Sequence, residues 1–325
     1  MIRIGLAAAV LAAASSSAAT LSRPTTFYGM CDASAAVALS DELFAVANDE
    51  DNILRIFNRR TGGLPVQTLD VGPFLHAGKK GNTETDIEGA ARVADTVFWI
   101  TSHGCDAKGR PSPTRERFFA TRIVTNAGAV TLMPFGRAYN RMRIDLERDP
   151  RLKAYDLASA GNLAPKLPGA LNIEGLCSTP EGHLLIGFRN PIRRGLALMV
   201  PLRNPAAVIT GAAPEWGEPL ALDLGGLGIR SVGRLGTRYL IIAGPFDAGG
   251  SARLFTWEGG KSAPQLFPDA PLDGLNPEGL DFMKEGGQMD FLILSDDGTR
   301  KLGGLDCKSI KDPAARQFRG YILTP

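Results

Sequence analysis

The chain has 325 residues, of which 44% are hydrophobic, and its 36 basic and 34 acidic side chains leave a formal charge of +2. Because the charge is nearly balanced, the composition indicates neither a nucleic-acid-binding protein nor a membrane-surface protein. The 38 glycines and 22 prolines, between short apolar runs, are typical of a protein with many short strands.

The first 20 residues have the pattern of an export signal. Arg3 precedes the apolar segment 5–14, and Ser17-Ala18-Ala19 supplies small residues for cleavage. No stretch reaches the roughly 18 uninterrupted apolar residues that a membrane-spanning helix needs. We therefore expect a signal peptide over residues 1–20 and an exported, periplasmic or extracellular protein without a membrane span, which acts as a monomer.

A short motif, an acidic residue followed by glycine and an apolar run, recurs along the chain. Three strong copies and two weaker ones are present: Glu88-Gly89, Glu174-Gly175, Glu278-Gly279, Arg230-Ser231 and Ala33-Ser34. In four copies the motif lies 15 residues before the end of the next apolar run, as from Glu88 to His103. A sequence repeat of roughly 50 residues is typical of a β-propeller.

Each repeat carries four candidate strands, which is the composition of a propeller blade. The fifth repeat is one strand short, and residues 25–28 would complete it and close the ring. We therefore predict an all-β fold, a β-propeller of five four-stranded blades that occupies residues 21–325 as one domain. Residues 136–171 fit no strand pattern and predict a helical or irregular insertion, with a sixth, degenerate blade as the alternative.

Four cysteines in an exported protein permit two disulfides. Cys105 and Cys307 both follow the second strand of a repeat, which predicts a Cys105–Cys307 bridge on one face of the molecule. Cys31 and Cys177 lie beside first strands, and we expect them to be buried thiols or a second pair.

The first strand of each blade lines the central channel of a propeller, so the starts of these strands converge at one mouth. Because side chains two apart on a strand share a face, six residues are candidate metal ligands there: Glu88, Glu174, Glu278, Asp86, Asn172 and Asn276. Six further residues, most of them at the ends of second strands, are candidate ligand-binding residues: Asp32, Asn48, Asp49, Asn190, Asp296 and Asp297.

Carboxylates brought together at one mouth raise one another's pKa unless a cation or hydrogen bonds compensate. Oxygen ligands of this kind suit Ca²⁺, whereas Arg189 and Arg230 can neutralise the same charge without a metal. A third interpretation makes each Glu-Gly pair architectural, with the carboxylate accepting hydrogen bonds from backbone N–H groups. The sequence leaves all three open.

His103, Arg189 and Arg230 are the candidate catalytic residues. His103 alone among the three histidines is predicted near the mouth, where it would act as a general acid or base, or else lie at the surface. Basic residues on the connections of blades two and three, Arg115 and Arg143 among them, would attract an anionic ligand or form an ordinary solvated face. No GxSxG, Walker or HExxH motif is present.

The chain resembles the bacterial domain-of-unknown-function family 3616 over nearly all of its mature length. Five segments carry the resemblance: Cys31-Asp32-Ala33-Ser34, Asn48-Asp49-Glu50-Asp51-Asn52, Asp86-Ile87-Glu88-Gly89, Asn172-Ile173-Glu174-Gly175 and Asn276-Pro277-Glu278-Gly279. Shorter motifs are similar to those of esterase-like phytase propellers and of gluconolactonase-type propellers. These two resemblances imply a hydrolase and a Ca²⁺ ion in the channel, although Arg230 departs from an all-acidic ring.

Together these features predict a Ca²⁺-dependent hydrolase of a small anionic ester, either a phosphoester or a lactone. Glu88, Glu174 and Glu278 would hold the ion, while His103, Arg189 and Arg230 would handle the substrate. No organic cofactor is indicated. The alternative is a non-catalytic propeller that binds a small ligand or a partner protein across the mouth.

Overall fold

The computed structural model describes residues 20–78, 83–247, 249–267, 270–285 and 288–324. Except for Thr20, the predicted signal peptide lies outside these residues. Within the described residues no helix is long and apolar enough to cross a membrane.

Five antiparallel sheets form a five-bladed β-propeller, as predicted. Four of them have four strands each, and in the fifth two short N-terminal strands share the fourth, outermost position. The chain starts with two short strands that belong to the last blade: β1 (Thr20–Leu21) and β2 (Thr25–Tyr28). Blade one contains β3 (Ala33–Ala38), β4 (Leu43–Asn48), β5 (Ile53–Asn58) and β6 (Gln67–Asp70). Blade two contains β7 (Ile87–Val93), β8 (Thr96–Thr101), β9 (Phe118–Asn126) and β10 (Ala129–Tyr139).

The remaining blades repeat this order from the channel outwards. Blade three contains β11 (Asn172–Ser178), β12 (Leu184–Arg193), β13 (Leu196–Leu202) and β14 (Leu220–Asp223). Blade four contains β15 (Gly228–Leu235), β16 (Arg238–Gly244), β17 (Arg253–Trp257) and β18 (Gln265–Leu266). Blade five contains β19 (Pro277–Glu285), β20 (Gln288–Ser295) and the last strand, β23 (Gln317–Thr324). Between β20 and β23 the chain forms a separate hairpin of β21 (Lys301–Leu302) and β22 (Leu305–Asp306).

The ring is closed by the N-terminal strand, as the sequence predicted. β2 pairs with β23 from Thr25 opposite Gly320 to Tyr28 opposite Gln317, and β1 continues the same edge. Phe27 stacks on Phe318 with ring centroids 5.0 Å apart inside a buried aromatic cluster. The fifth blade is therefore built from both ends of the chain, and its outer edge is paired.

Helical segments follow blade two, within the range where an insertion was predicted. These are α1 (Met142–Glu147), a 3-10 turn at Pro150–Tyr155 and α2 (Leu157–Ala160); a further short helix, α3 (Pro205–Val208), follows β13. Met142, Leu146, Leu152 and Leu157 pack on the apolar core between blades two and three. Because their apolar side chains cover these blades, the segment contributes no sixth blade.

Each inner strand carries a β-bulge at the same point of the repeat. The pairing register with the second strand shifts at Ser34, Glu88, Glu174, Arg230 and Glu278. A bulge leaves one residue unpaired and redirects its side chain, and bulges are frequent next to functional sites. The register also corrects the repeat alignment in blade one, where Ser34 and not Ala33 is equivalent to Glu88.

The disulfide joins Cys31 to Cys307, across 276 residues with Cα atoms 5.9 Å apart, so the predicted Cys105–Cys307 bridge is wrong. Cys31 follows β2 and Cys307 precedes β23, and these strands pair in blade five. Cys105 lies instead under the insertion, where its Sγ donates to the carbonyl of Gly161 at 3.1 Å. Cys105 and Cys177 are buried free thiols.

Candidate functional site

A cavity of about 680 Å³ opens at the mouth where the inner strands begin. The five inner strands contact one another in a closed ring, β3 with β7, β11, β15 and β19 in turn. Nine of the predicted site residues line the cavity, which confirms that the repeat converges here: Asp32, Asp49, Asp86, Glu88, Asn172, Glu174, Asn276, Glu278 and Asp296. The predicted Arg189 and Arg230 line it as well.

Glu174 is held by donors from its own blade. Its Oε1 accepts from Arg189 at 2.7 Å and from the Asn172 amide at 2.8 Å, while its Oε2 is buried without a hydrogen-bond partner. Arg189 also donates to the carbonyls of Pro245 at 2.9 Å and Asp247 at 3.0 Å in the next blade. These contacts fix the position of the Glu174 carboxylate.

Arg230 connects three blades. Its guanidinium pairs with Glu278, donates to Asn276 Oδ1 at 2.6 Å and lies 3.6 Å from Glu174 Oε2. Arg230 is 7% exposed and Glu278 is 8% exposed, so this pairing takes place largely out of water. Arg230, where the ring departs from an all-acidic pattern, therefore compensates the charge of Glu278 directly.

Glu88 differs from Glu174 in having no ion-pair or hydrogen-bond partner in the described part of the chain. Burial raises its pKa well above the usual value, and the charges of Glu174 and Asp86 raise it further. Asp86 lies two residues earlier with φ of 61° and pairs with Arg115 at 2.9 Å. A non-glycine residue in this left-handed region carries local strain, and such strain is common at functional sites.

A second group of carboxyl groups lies on the side of blades one and five. Asp32 is equivalent in the repeat to Asp86, and burial followed by the charges of Asp296 and Glu50 raises its pKa to about 7. The pKa of Asp49 is also raised well above its usual value, by burial and by Asp296 and Asp32. Asp296 accepts only from neutral groups, the Gly298 N–H and the Asn276 amide, each at 2.8 Å.

Four predicted site residues do not line the cavity. His103 is buried with φ of 56°, donates from Nδ1 to the carbonyl of Thr101 at 2.7 Å, and burial lowers its pKa to about 4. The side chains of Asn48 and Asn190 bond to neighbouring loops, Asn48 to Asp51 at 3.1 Å and Asn190 to the Leu167 carbonyl at 2.8 Å.

Asp297 is the fourth of these residues. It is 2% exposed and pairs with Arg319 at 2.7 Å. Their positions in the repeat predicted that these four residues lie near the mouth. In the structure their side chains instead hold loops and strands together.

The predicted Ca²⁺ ligands fit a metal poorly. A hard cation needs several carboxylate oxygens that converge on it, whereas Glu174 and Glu278 are engaged by Arg189 and Arg230. In the described ranges no three His, Cys, Asp or Glu side chains are arranged to hold a metal ion. Charge compensation by arginine, one of the three interpretations that the sequence left open, is the one the geometry favours.

The cavity lining includes charged residues that the repeat did not predict. Lys308 pairs with Glu50 at 2.8 Å, and Asp247 and Lys166 come from loops after the second strand of blade four and before blade three. For Lys308, the only available sequence signal was its position next to Cys307. Loop residues of this kind have no fixed place in a repeat, so their spacing carries no signal.

Several basic residues of blades two and three pair with neighbouring carboxylates. Arg115 pairs with Glu84 at 2.9 Å as well as with Asp86, Arg110 pairs with Asp106 at 2.6 Å, and Arg143 donates to Glu147 at 2.7 Å. These pairs reduce the positive charge of the cluster, which supports the solvated face that was one interpretation of it.

Solved structures of similar fold include several enzymes. Myxococcus xanthus glutaminyl cyclase has a TM-score of 0.51 and 10% identity, covering 94% of this chain and 97% of that one. The PQQ-bound aldose sugar dehydrogenase from Streptomyces coelicolor has a TM-score of 0.44 and 12% identity, covering 94% and 98%. The RS223 β-xylosidase has a TM-score of 0.46 and 9% identity, covering 92% and 94%. At such identities the similarity shows the fold alone.

No protein with a curated description matches the chain significantly. The model of one protein family, described as Protein of unknown function (DUF3616), matches residues 122–268. This range extends from the third strand of blade two to the end of blade four, and it contains Glu174, Arg189 and Arg230. Over residues 122–268 the chain therefore matches the family that its motifs predicted.

Proposed function

We propose that the mouth cavity is the active site of a hydrolase that uses Glu88 and Glu174 as an acid and base pair. The observation that carries the proposal is the contrast between these two carboxyl groups in one cavity. Glu174 accepts from Arg189 and Asn172, whereas Glu88 has no such donor in the described chain. Two carboxyl groups held in opposite protonation states can divide acid and base roles.

In this proposal Glu88 is protonated at neutral pH and donates its proton to the leaving oxygen of the substrate. Its raised pKa supports this role. Glu174, whose Oε2 accepts no hydrogen bond from the described residues, takes a proton from the attacking water, whose oxygen bonds to the carbonyl carbon as the bond to the leaving oxygen breaks. Both steps conserve protons, since Glu88 gives up one and Glu174 takes one.

The substrate class follows from the charge of the lining. Ten carboxyl residues and five basic residues line the cavity, and the arginines among them are already paired. An anionic ester, as the sequence predicted, would enter a region of negative potential. A neutral or positively charged ester or lactone fits better.

Glu88→Gln and Glu174→Gln are each expected to lower kcat by about 100-fold or more, since each removes one proton-transfer group. The measurement is hydrolysis of a panel of p-nitrophenyl esters and small lactones by the full chain. Glu258→Gln is the matched control, because Glu258 is exposed and pairs only with Arg238 at the surface. If both site variants kept parental kcat on a substrate that the parent hydrolyses, the assigned roles would be lost.

Ca²⁺ and EDTA are expected to leave the Tm of the protein unchanged, because arginines and not a metal compensate Glu174 and Glu278. Differential scanning calorimetry with each additive measures this. A Tm rise with Ca²⁺ that disappears in Glu174→Gln would restore the predicted Ca²⁺-dependent hydrolase.

A second candidate is the non-catalytic propeller that binds a ligand or a partner at the mouth. The engagement of all three nitrogens of Arg189 by protein acceptors favours it, because these contacts hold that side of the cavity in place without any substrate. Absence of turnover across the whole ester and lactone panel, with ligand binding retained in Glu88→Gln, would favour this candidate.

A further inference from the structure

Three carboxyl groups on the side of blades one and five, those of Asp32, Asp49 and Asp296, form no ion pair with a cationic side chain among the described residues. Asp32 is 6% exposed, lines the cavity and makes no hydrogen bond or ion pair with the described residues. Asp49 Oδ1 is likewise buried without a partner. Burial of unpaired carboxyl groups is costly, so two in one place, beside the further negative charge of Asp296, indicate a ligand that compensates them.

The nearby protein cations are engaged elsewhere. Lys308 donates to Glu50 at 2.8 Å, and Arg316 donates to the carbonyl of Ile310 at 2.8 Å. The positive charges of Lys308 and Arg316 lower the pKa of Asp32, but neither side chain donates a hydrogen bond to it. No cationic side chain among the described residues therefore contacts Asp32 directly.

The local backbone holds Asp32 in place. The Cys31–Cys307 bridge lies directly before it in the chain, and Asp297 N–H donates to the Cys31 carbonyl at 3.0 Å. A Cβ at Gly298 would collide with Asp32 Oδ1, so glycine is what admits the carboxyl group here. A position fixed by a disulfide and by a glycine is preorganised, as binding groups commonly are.

We propose that Asp32, Asp49 and Asp296 form a subsite for a positively charged organic group, of the alkylammonium class, on the ligand of this cavity. The inference rests on the proposed function only in taking the cavity as the ligand site. It further specifies that the substrate is positively charged, a cationic ester or lactone. It also assigns these three residues to the recognition of that charge.

An organic cation suits this subsite better than a metal ion. Among the described residues no three acidic side chains converge at the distances that a metal requires. An ammonium group carries its charge on three donors over a larger radius and can reach carboxyl groups that are farther apart. Asp296, with both oxygens already accepting from neutral groups, can still contribute its charge.

Binding is expected to strengthen as pH rises from about 5.5 to 8. Asp32 must be charged to attract a cation, and it loses its proton across this range since its pKa is about 7. The charged groups that face it are Asp296, Glu50, Lys308 and Arg316. The cation displaces the proton, so uptake of the ligand releases protons from the protein.

The test compares n-butylammonium chloride with sodium butyrate and butan-1-ol, by isothermal titration calorimetry on the full chain at pH 8. The ammonium probe alone is expected to bind, and Asp32→Asn is expected to weaken it about tenfold, as the loss of one charge-assisted contact does. Gly298→Ala should give a similar loss without a change in charge. Asp273→Asn is the matched control, since Asp273 lines the cavity but is exposed.

Glu88→Gln separates this proposal from the proposed hydrolysis, because it should abolish turnover and leave n-butylammonium binding intact. Circular dichroism spectra and Tm values identify any variant that fails to fold, and Asp49→Asn serves as the second variant. Equal binding of butyrate and n-butylammonium, or parental binding by folded Asp32→Asn and Asp49→Asn, would overturn the proposal. Tight Ca²⁺ binding that Asp32→Asn removes would overturn it in favour of a metal.

Discussion

Replacement of Arg230 with methionine is expected to destabilise the protein by about 3–5 kcal/mol, the usual cost of breaking a buried ion pair from one side. Among the described residues Arg230 is the one guanidinium that contacts both Glu174 of blade three and Glu278 of blade five. Its removal leaves Glu278 buried without its cation and leaves Asn276 Oδ1 without a donor. Equilibrium unfolding in urea measures the change.

Arg238→Met is the matched control for this prediction. Arg238 and Glu258 are 72% and 59% exposed, so their ion pair at 3.0 Å should contribute less than about 1 kcal/mol. The double variant Arg230→Met/Glu278→Gln should recover part of the stability, because it removes the carboxylate that the single change leaves uncompensated. A loss for Arg230→Met as small as that of the control would show that the guanidinium does not hold the channel together.

Loss of the Cys31–Cys307 bridge, by Cys31→Ser with Cys307→Ser, is expected to lower the free energy of unfolding by about 2–5 kcal/mol. The bridge spans 276 residues and joins the two chain ends where they complete blade five. Without it the pairing of β1 and β2 with β23 and the stacking of Phe27 on Phe318 still hold the two chain ends together.

The control for the disulfide is a reductant. Dithiothreitol should lower the urea midpoint of the parent and should not change that of the Cys31→Ser/Cys307→Ser variant. The buried thiols of Cys105 and Cys177 should contribute nothing to this difference. A reductant effect of equal size in the double variant would mean that another part of the molecule responds.

The sequence by itself determined the repeat and therefore the fold. The spacing from Glu88 to His103 and its copies requires a strand, a turn and a second strand in each repeat, and the missing fifth-blade strand predicts closure by residues 25–28. Such signals are local, since they depend on apolar runs and turn residues within one repeat. They also place Glu88, Glu174, Arg230 and Glu278 at one mouth, because equivalent residues in a ring share one height along its axis.

Only the tertiary structure decided which of these side chains meet, and through which partners. Arg230 reaches across to neighbouring blades, and Cys307 pairs with Cys31 because blade five contains both chain ends. The equivalence of Ser34 with Glu88 appears only in the strand register, where the bulges fall. Contacts between blades and the paths of loops carry no period along the chain, so the sequence offered arginine compensation and a metal site as alternatives, and only the contacts of Arg189 and Arg230 favour the first.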